Sequence, residues 1–180
     1  IRCQVCDSVD MESLLDLGCQ PLCNEFPSVD VSNRPQVYYP LALHYCPNCT
    51  IVQLGYVLPT TSTFGAQYTY LTGSSPSLVE FYQRMADHLI HQLKLQPGDL
   101  VLEIGSNDGT FLRALKERGL QVLGVEGAQV AATAALDQDI PTIPRFFGKD
   151  IGPLIRGNIA ADSDIKLIVA MNVLAHTDNL

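Results

Sequence analysis

The sequence predicts an α/β protein in which a small β-rich module is followed by a Rossmann-like domain that is incomplete at its C-terminus. Two observations support this prediction. All six cysteines lie within the first 49 residues, which marks a separate unit. Residues 100–104 form a short apolar run, a glycine-containing turn follows at once, and helical periodicity resumes at residue 110. Strand, glycine turn and helix in this order are typical of the first crossover of a nucleotide-binding sheet.

The composition fits a globular protein and argues against several functions. The chain has 180 residues, of which 47% are hydrophobic and 17% charged, enough for one sizeable core or two modest ones. No apolar run approaches the roughly 20 residues that span a bilayer, so we expect a cytoplasmic protein without a membrane partner. A net charge of −8 repels phosphate backbones, which argues against a nucleic acid polymer. Because the chain begins at Ile1 and stops inside an unfinished domain, we expect both ends to be cut.

The cysteines of the first module have the spacing of a zinc site. Cys3 and Cys6 form one C-x2-C pair, and Cys46 and Cys49 form a second. Each pair presents two sulfurs from a tight turn, and two such pairs build a tetrahedral thiolate cage. A unit this small buries too little apolar surface to fold without a metal or a disulfide, so we expect the bound Zn²⁺ to be structural.

The six cysteines also allow other interpretations. A disulfide framework is the alternative, but nothing else in the sequence points to secretion. Cys19 and Cys23 straddle Pro21, which suits a ligand turn poorly, so we expect ordinary thiols, with a second metal left open. His44 lies close to the second pair and could replace a cysteine, although a hydrogen-bonded strand residue is the preferred interpretation.

Periodicity and turn residues divide the rest of the chain. The pattern becomes helical from Ser77, which is the predicted N-cap with Glu80 at the capping-box position, and the Pro-Gly pair at 97–98 ends the helix. Before it, Tyr68 and Tyr70 lie two residues apart in a segment that either closes over a ligand or forms a surface linker. The predicted segments are a zinc-binding module at 1–58 with strands at 14–17 and 38–45, a linker and active-site segment at 59–76, and a Rossmann-like domain at 77–180.

The turn after the first buried strand indicates the cofactor class. It has the pattern Glu-x-Gly-Ser-x-Asp-Gly, not the Gly-x-Gly-x-x-Gly of dinucleotide sites. A dinucleotide places its diphosphate against the helix N-terminus, where Glu103 and Asp108 would repel it. A sulfonium and amino-acid headgroup tolerates both carboxylates, which favours S-adenosylmethionine over NAD. The candidate cofactor-binding residues of the turn are Glu103, Gly105, Ser106, Asn107, Asp108 and Gly109.

Two later strands end in polar residues at the same sheet edge. One ends in Glu126, which lies 17 residues beyond Gly109, close to the usual interval for a carboxylate that binds both ribose hydroxyls. The alternative for Glu126 is a solvated charge at a strand end. The other strand, residues 166–171, precedes Asn172 and His176 at the edge where ligands bind in this topology. Both are candidate functional residues, although a histidine near a strand end is often structural.

With these motifs, the chain resembles the N-terminal part of the zinc-containing, S-adenosylmethionine-dependent sugar C-methyltransferases, class I methyltransferases that act at carbon 3 of nucleotide-linked keto-deoxysugars. The resemblance runs from Cys3 to His176. One departure is Gly127, where the family usually has a proline after the ribose-binding acid. The motifs are the two cysteine pairs, Leu17-Gly18-x-Gln20-Pro21-Leu22-x-Asn24, Tyr68-x-Tyr70-x-Thr72-Gly73, Val-Leu-Glu-Ile-Gly-Ser-Asn-Asp-Gly at 101–109 and Asn-Val-Leu-Ala-His at 172–176.

The resemblance implies a three-part enzyme of deoxysugar and antibiotic biosynthesis, monomeric at full length, whose C-terminal domain completes the sugar site. In that family a thymidine diphosphate sugar with a 4-keto group loses a proton at carbon 3, and the enolate attacks the cofactor methyl group with inversion. It implies that Tyr70 and His176 face the reacting sugar, while the general base lies in the later domain. Tyr68, Gly127 and Asn172 complete the candidate cofactor-binding set. The fragment alone is expected to be inactive.

Two further functions stay open from the sequence. The first is an O- or N-methyltransferase of another small metabolite, because fold and cofactor do not fix the substrate. The second is a zinc-ribbon binding module fused to a degenerate methyltransferase fold. Cofactor titration distinguishes the binding module from any methyltransferase, because only a methyltransferase binds S-adenosylmethionine. The atom that receives the methyl group distinguishes an O- or N-methyltransferase from a C-methyltransferase.

Overall fold

The computed structural model describes residues 1–23, 36–65 and 68–177. The chain divides into two compact units, Ile1–Thr63 and Phe64–Leu180, so the division falls inside the segment predicted as a linker. Asn24 of the family motif lies outside the described residues, as does the Ala-Gln pair at 66–67.

The first unit is built on a three-stranded antiparallel sheet. Strand β1 (Glu12–Pro21) pairs with β2 (Tyr38–Tyr45), and β2 pairs with β3 (Val52–Leu54). Both predicted strands are present, and β3 is an addition too short for its periodicity to be recognised. A single turn of helix, α1 (Thr60–Thr63), follows the sheet.

Within the described ranges 1–23 and 36–63, this sheet covers almost no apolar core. Every residue of β1 is exposed, including Leu14, Leu15 and Leu17. Among the described residues of this unit, Cys3 and Cys46 alone are buried. The interior of the first unit is therefore its cysteine cluster.

The second unit begins with a 3₁₀ turn, Thr72–Ser74, and a long helix, α2 (Pro76–Leu93). Pro76 occupies the first turn, where its missing N–H leaves no hydrogen bond unmade, so the predicted N-cap at Ser77 is wrong. The helix ends at Lys94, which adopts a left-handed conformation with φ 54°, three residues before the predicted Pro-Gly stop.

A four-stranded parallel sheet with helical connections forms the rest of this unit. Its strand order is β6-β5-β4-β7, so the chain moves outward from β4 to β6 and then returns to the other side of β4. This reversal is the switch point of a Rossmann-like sheet, and the predicted α/β class is confirmed. The elements are β4 (Leu100–Ile104), α3 (Thr110–Lys116), β5 (Gln121–Val125), α4 (Gln129–Leu136), β6 (Thr142–Ile143), α5 (Ile151–Gly157) and β7 (Ile165–Ala170).

Apolar side chains cover both faces of this sheet, and all five residues of β4 are buried. One cluster joins the sheet to α2 and α3 through Ala86 and Phe111, and the other lies on the opposite face around Val125 and Ile151. Arg118 ties α2 to the end of α3, because its guanidinium donates to Asp87, to Gln83 and to the carbonyl of Ala114. Among the helices that the structure describes, none has both the length and the apolar character needed to cross a bilayer.

Candidate functional site

The four predicted ligand cysteines lie together in the first unit. The sulfurs of Cys3, Cys6, Cys46 and Cys49 are all within 4.8 Å of one another. The Sγ–Sγ distance is 3.5 Å between Cys3 and Cys49 and 3.6 Å between Cys6 and Cys46. Zinc–sulfur bonds of about 2.3 Å in a tetrahedron separate the sulfurs by roughly 3.8 Å. The cluster therefore fits Zn²⁺ without rearrangement.

The two cysteine turns share one hydrogen-bonding pattern. In each turn the carbonyl of the first cysteine accepts the N–H of the residue after the second cysteine, at 3.1 Å from Asp7 to Cys3 and at 2.8 Å from Thr50 to Cys46. Asp7 and Thr50 both adopt positive φ, 59° and 62°. A β-branched residue such as threonine rarely takes this conformation. The second turn therefore carries backbone strain that the first carries to a smaller extent.

Polar side chains around the cluster hold its sulfurs and its first turn. The Asn48 amide donates to Cys6 Sγ at 3.4 Å, and this bond is the largest influence lowering the pKa of that thiol from 9.0 to about 6. The Gln53 amide accepts the Gln4 N–H at 2.9 Å and donates to the Arg2 carbonyl at 3.0 Å. Gln53 thus pins both peptides that flank Cys3.

The other candidates of this unit lie outside the cluster. A Cβ built on Gly55 would lie 2.5 Å from Nε2 of His44, so the histidine ring packs against that glycine. Cys19 and Cys23 are exposed free thiols and do not belong to the cysteine cluster.

In the second unit, the turn after β4 is packed so closely that two of its residues must be glycine. Gly105 and Gly109 have φ of 68° and 73°. A Cβ on Gly105 would lie 2.4 Å from Cγ2 of Val173, and one on Gly109 would lie 3.0 Å from Cγ2 of Ile140. The contact with Val173 brings the turn against the Asn-Val-Leu-Ala-His motif that follows β7.

Three buried carboxyl groups face one another beside this turn. Glu103, Asp108 and Glu126 are 4%, 5% and 9% exposed. Burial raises the pKa of Glu126, while hydrogen bonds from the N–H groups of Ala128 at 2.7 Å and Asn107 at 2.8 Å oppose the rise. Burial, reinforced by the charges of Glu126 and Asp108, raises the pKa of Glu103 well above its usual range. We call this edge of the sheet, where Glu103, Asp108 and Glu126 lie, the crevice. It has a negative potential, and the Glu103 carboxyl group in it favours its protonated form.

Two polar atoms of the crevice have unused hydrogen-bonding capacity. Among the buried side-chain atoms of the described residues, Glu103 Oε2 and Ser106 Oγ make no hydrogen bond. Buried groups of this kind are rarely left unpaired unless a ligand or water completes them. Orphaned polar atoms beside several carboxyl groups fit a cationic ligand with hydroxyl and amino donors, as S-adenosylmethionine is, and disfavour a diphosphate.

The aromatic residues predicted from separate motifs lie in one cluster. The Phe64 ring packs edge-on against Tyr68 with centroids 5.1 Å apart and against His176 at 5.3 Å. Tyr68 in turn contacts Tyr70 at 6.3 Å. Tyr70 is 43% exposed and His176 is exposed as well, so both remain accessible. Sequence reasoning missed Phe64, although an aromatic residue opening a polar segment was a usable signal.

Side chains of the turn hold the backbone of this aromatic segment. Asn107 Oδ1 accepts the Thr72 N–H at 2.8 Å, and its Nδ2 donates to the Tyr70 carbonyl at 3.1 Å. Asp108 Oδ2 accepts the Gly73 N–H at 2.7 Å. Two side chains predicted to bind the cofactor are therefore engaged with the segment that carries Tyr70.

The two remaining candidates flank the crevice. Asn172 follows β7 in a left-handed conformation, φ 55°, and is exposed. A Cβ on Gly127 would lie 2.1 Å from Cδ1 of Phe146, so the phenylalanine ring fills the space of a side chain at position 127. No motif or spacing in the sequence indicated Phe146, because its contact depends on how the loop after β6 folds back.

Solved structures similar to this chain include two methyltransferases. Magnesium protoporphyrin IX methyltransferase (ChlM) from Synechocystis PCC 6803, solved with bound SAM, is 17% identical, with a TM-score of 0.38 over 53% of this chain and 47% of that one. A SAM-dependent methyltransferase from Geobacter sulfurreducens in complex with S-adenosyl-L-homocysteine is 17% identical, with a TM-score of 0.39 over 64% and 44%. Both superpositions are too partial to identify a ligand for this chain.

Sequence relatives correspond to both units. Residues 3–64, which include the cysteine cluster, match the family described as "Putative zinc binding domain". C-methyltransferase NovU from Streptomyces niveus is 29% identical over 151 residues, which are 84% of this chain and 36% of that protein. The chain thus spans little more than a third of this curated relative. The two matches confirm the resemblance inferred from the motifs, that of a zinc-binding module in a chain similar to part of a C-methyltransferase.

Proposed function

We propose that this chain provides the zinc module and the cofactor site of an S-adenosylmethionine-dependent C-methyltransferase, an enzyme that acts at carbon 3 of a thymidine diphosphate-linked 4-keto-deoxysugar. The observation that carries the proposal is the crevice in which Glu103, Asp108 and Glu126 are buried together at the switch point of the sheet. The similarity to a C-methyltransferase supports the reaction class. Deoxysugar and antibiotic biosynthesis is the proposed context.

The crevice residues have separate roles in this proposal. Glu126 accepts the ribose hydroxyls. Each of its two oxygens accepts one backbone N–H, which fixes the carboxylate, and retains a lone pair that can accept a hydroxyl group. Glu103 and Ser106 supply the unused polar atoms for the amino-acid end of the cofactor. Gly105 and Gly127 allow Val173 and Phe146 to pack closely beside the crevice, and S-adenosylmethionine supplies an electrophilic methyl group when bound.

The exposed side of the aromatic cluster is the proposed sugar site. A ketone acidifies the adjacent C–H, so the protein needs one base and hydrogen-bond donors for the oxygen that gains charge. We assign Tyr70 and His176 to the sugar as hydrogen-bond donors, and Tyr68 and Asn172 to the cofactor. The zinc ion acts structurally, since Cys3 and Cys46 form the buried interior of their unit.

The remaining assignments follow from the chemistry of the chain. Free cysteines arranged for zinc are typical of a reducing compartment, so we propose the cytoplasm as its location. The nucleotide-linked sugar is the proposed partner, and the negative net charge disfavours nucleic acid polymers. We propose that the full-length protein is a monomer.

The test is methyl transfer by the full-length protein from S-adenosylmethionine to a thymidine diphosphate 4-keto-deoxysugar, with the product analysed by NMR. A new carbon–methyl bond at C-3 is the expected result. A methyl group on oxygen or nitrogen would replace this proposal with another small-molecule methyltransferase. Failure of the intact protein to bind S-adenosylmethionine in calorimetry would remove the enzymatic proposal altogether.

Glu126→Ala tests the ribose assignment. Loss of a charged acceptor for two hydroxyl groups is expected to weaken S-adenosylmethionine binding by on the order of 1–3 kcal/mol in isothermal titration calorimetry. Asp137→Ala, beyond the end of α4, is the control and should leave the affinity unchanged. Equal affinities of the Glu126 variant and the native protein would remove Glu126 from the site.

A further inference from the structure

We propose that Asn107 is a positioning residue that couples cofactor occupancy of the crevice to the placement of Tyr70. The inference rests on the proposed function, because it requires a ligand that hydrogen-bonds Glu126. It adds a role that the sequence did not indicate, since Asn107 was predicted only to contact the cofactor.

The backbone of Asn107 is fixed from the cofactor side. Its N–H donates to Glu126 Oε2 at 2.8 Å, and Glu126 is only 9% exposed, so the bond is shielded from water. Asn107 adopts φ 50°, a left-handed conformation that asparagine tolerates better than most residues. A ligand that restrains the Glu126 carboxylate therefore restrains the Asn107 backbone as well.

The side chain of Asn107 is fixed from the other side. Its amide donates to the Tyr70 carbonyl and accepts the Thr72 N–H, two groups on the same segment. The amide suits these two partners, because it carries a donor and an acceptor on neighbouring atoms. Aspartate at position 107 would keep the acceptor and place a charge against the Tyr70 carbonyl, and leucine would remove both bonds.

A second side chain from the same turn holds the next peptide. Asp108 accepts the Gly73 N–H at 2.7 Å and the Thr110 hydroxyl at 2.6 Å. A Cβ on Gly73 would lie 2.9 Å from Asp108 Oδ2, so the segment lies close against the turn. The turn and the Tyr70 segment therefore form one hydrogen-bonded unit.

Coupling follows from this chain of contacts. Binding at Glu126 removes freedom from the carboxylate, from Asn107 and from the segment in succession, so part of the ordering needed to position Tyr70 is supplied by the cofactor. Linkage makes the effect reciprocal: a segment released from Asn107 weakens cofactor binding by the same factor. Such couplings commonly amount to about 5- to 150-fold.

Hydrogen exchange on the full-length protein, with and without S-adenosylhomocysteine, tests the proposal. In the native protein the ligand is expected to slow exchange of the Thr72 and Gly73 amides about tenfold or more. In Asn107→Leu the ligand should slow both amides clearly less than in the native protein, since Asp108 is then the remaining side chain of the turn that holds the segment. Gly73 is the decisive probe, because its own hydrogen bond goes to Asp108, so deleting the Asn107 side chain does not remove it.

Matched variants complete the design. Asn158→Leu removes another asparagine whose amide donates to a backbone carbonyl, that of Leu154 at 2.9 Å, at an exposed helix end, and should keep the native response. Asn107→Asp is the smaller change and should weaken the ligand-induced slowing of exchange at Thr72 and Gly73. It replaces the leucine variant in the test if that variant does not fold.

The outcomes separate this inference from the proposed function. If calorimetry detects no ligand binding to the native protein, the proposed function fails, and the coupling fails with it. If the ligand binds but leaves exchange at Thr72 and Gly73 unchanged, or if both Asn107 variants keep the native response, the coupling alone is overturned.

Discussion

The two units of this chain obtain their interiors in different ways. In the first unit Cys3 and Cys46 are the buried residues among those described, whereas the second unit buries all of β4 between two apolar clusters. Apolar burial is worth roughly 25 cal/mol per Å² and is spread over many side chains. A metal site concentrates comparable stabilisation in four sulfurs. The comparison teaches that the first unit depends on one ligand set, while the second tolerates many single changes.

The largest expected effect comes from Cys46→Ser. The variant should lose zinc and unfold the first unit, because structural zinc in small modules is worth on the order of 10 kcal/mol and, of the residues described in this unit, Cys3 and Cys46 alone are buried. The second unit should keep its structure, as shown by its amide exchange. Cys19→Ser, which changes an exposed thiol, is the control and should retain one zinc per chain by metal analysis. Stoichiometric zinc in Cys46→Ser would contradict the four-thiolate site.

Gly105→Ala is the counterpart in the second unit. The added methyl group would overlap Cγ2 of Val173 at 2.4 Å and would force an alanine into φ 68°, so a loss of about 2–4 kcal/mol is expected in denaturant unfolding. Gly152→Ala, in α5 with nothing within 4 Å of the new Cβ, should be neutral or stabilising by up to about 1 kcal/mol. A similar loss in both variants would show that this turn is not specially packed.

Glu103→Gln tests whether the buried carboxyl group makes the stability of the second unit depend on pH. Because folding raises the pKa of Glu103 above 4.5, the folded state holds a proton that the unfolded state has released, and stability falls as pH rises from that value toward the raised pKa. The glutamine variant cannot titrate, so its unfolding free energy should fall less between mildly acidic and mildly alkaline pH. Glu80→Gln, on the exposed face of α2 beside Arg84, should keep the native slope. Identical slopes in all three proteins would exclude a shifted Glu103.

The smallest expected effect is a gain from Thr50→Gly. Glycine relieves the left-handed strain at φ 62°, worth roughly 1–2 kcal/mol, and loses the hydroxyl bond to the Cys49 carbonyl at 2.7 Å. A net stabilisation of about 1 kcal/mol should appear as a higher melting temperature of the zinc-loaded unit. Asp7→Gly is the matched change in the other turn and should gain less, because aspartate tolerates this conformation. A loss in both variants would mean that the two turns are not strained.

Local patterns allowed the sequence to predict much of this arrangement. The C-x2-C pairs, the glycine-containing turn and the apolar strand at 100–104 each specify their own geometry within a few residues, and the structure brings the four cysteines together as the spacing indicated. Ser77 was mispredicted as a cap because two starting signals competed locally, and Pro76 prevailed.

Contacts between distant segments could not be predicted in the same way. Asn107 and Asp108 were recognised by their place in a motif, but their partners lie more than 30 residues earlier in the chain. The ring of Phe146 against Gly127 depends on the path of a loop that no periodicity specifies. Side-chain partners across the fold are set by packing, for which a single sequence provides no local signal.

The guanidinium of Arg118 has a consequence for how the second unit opens. Since it joins α2 to α3 through both Asp87 and Gln83, α2 cannot detach from the sheet without breaking several charged or polar bonds at once. Because the apolar cluster around Ala86 also packs α2 on the sheet, helix and sheet should open together, and the bonds of Arg118 add to this cooperativity.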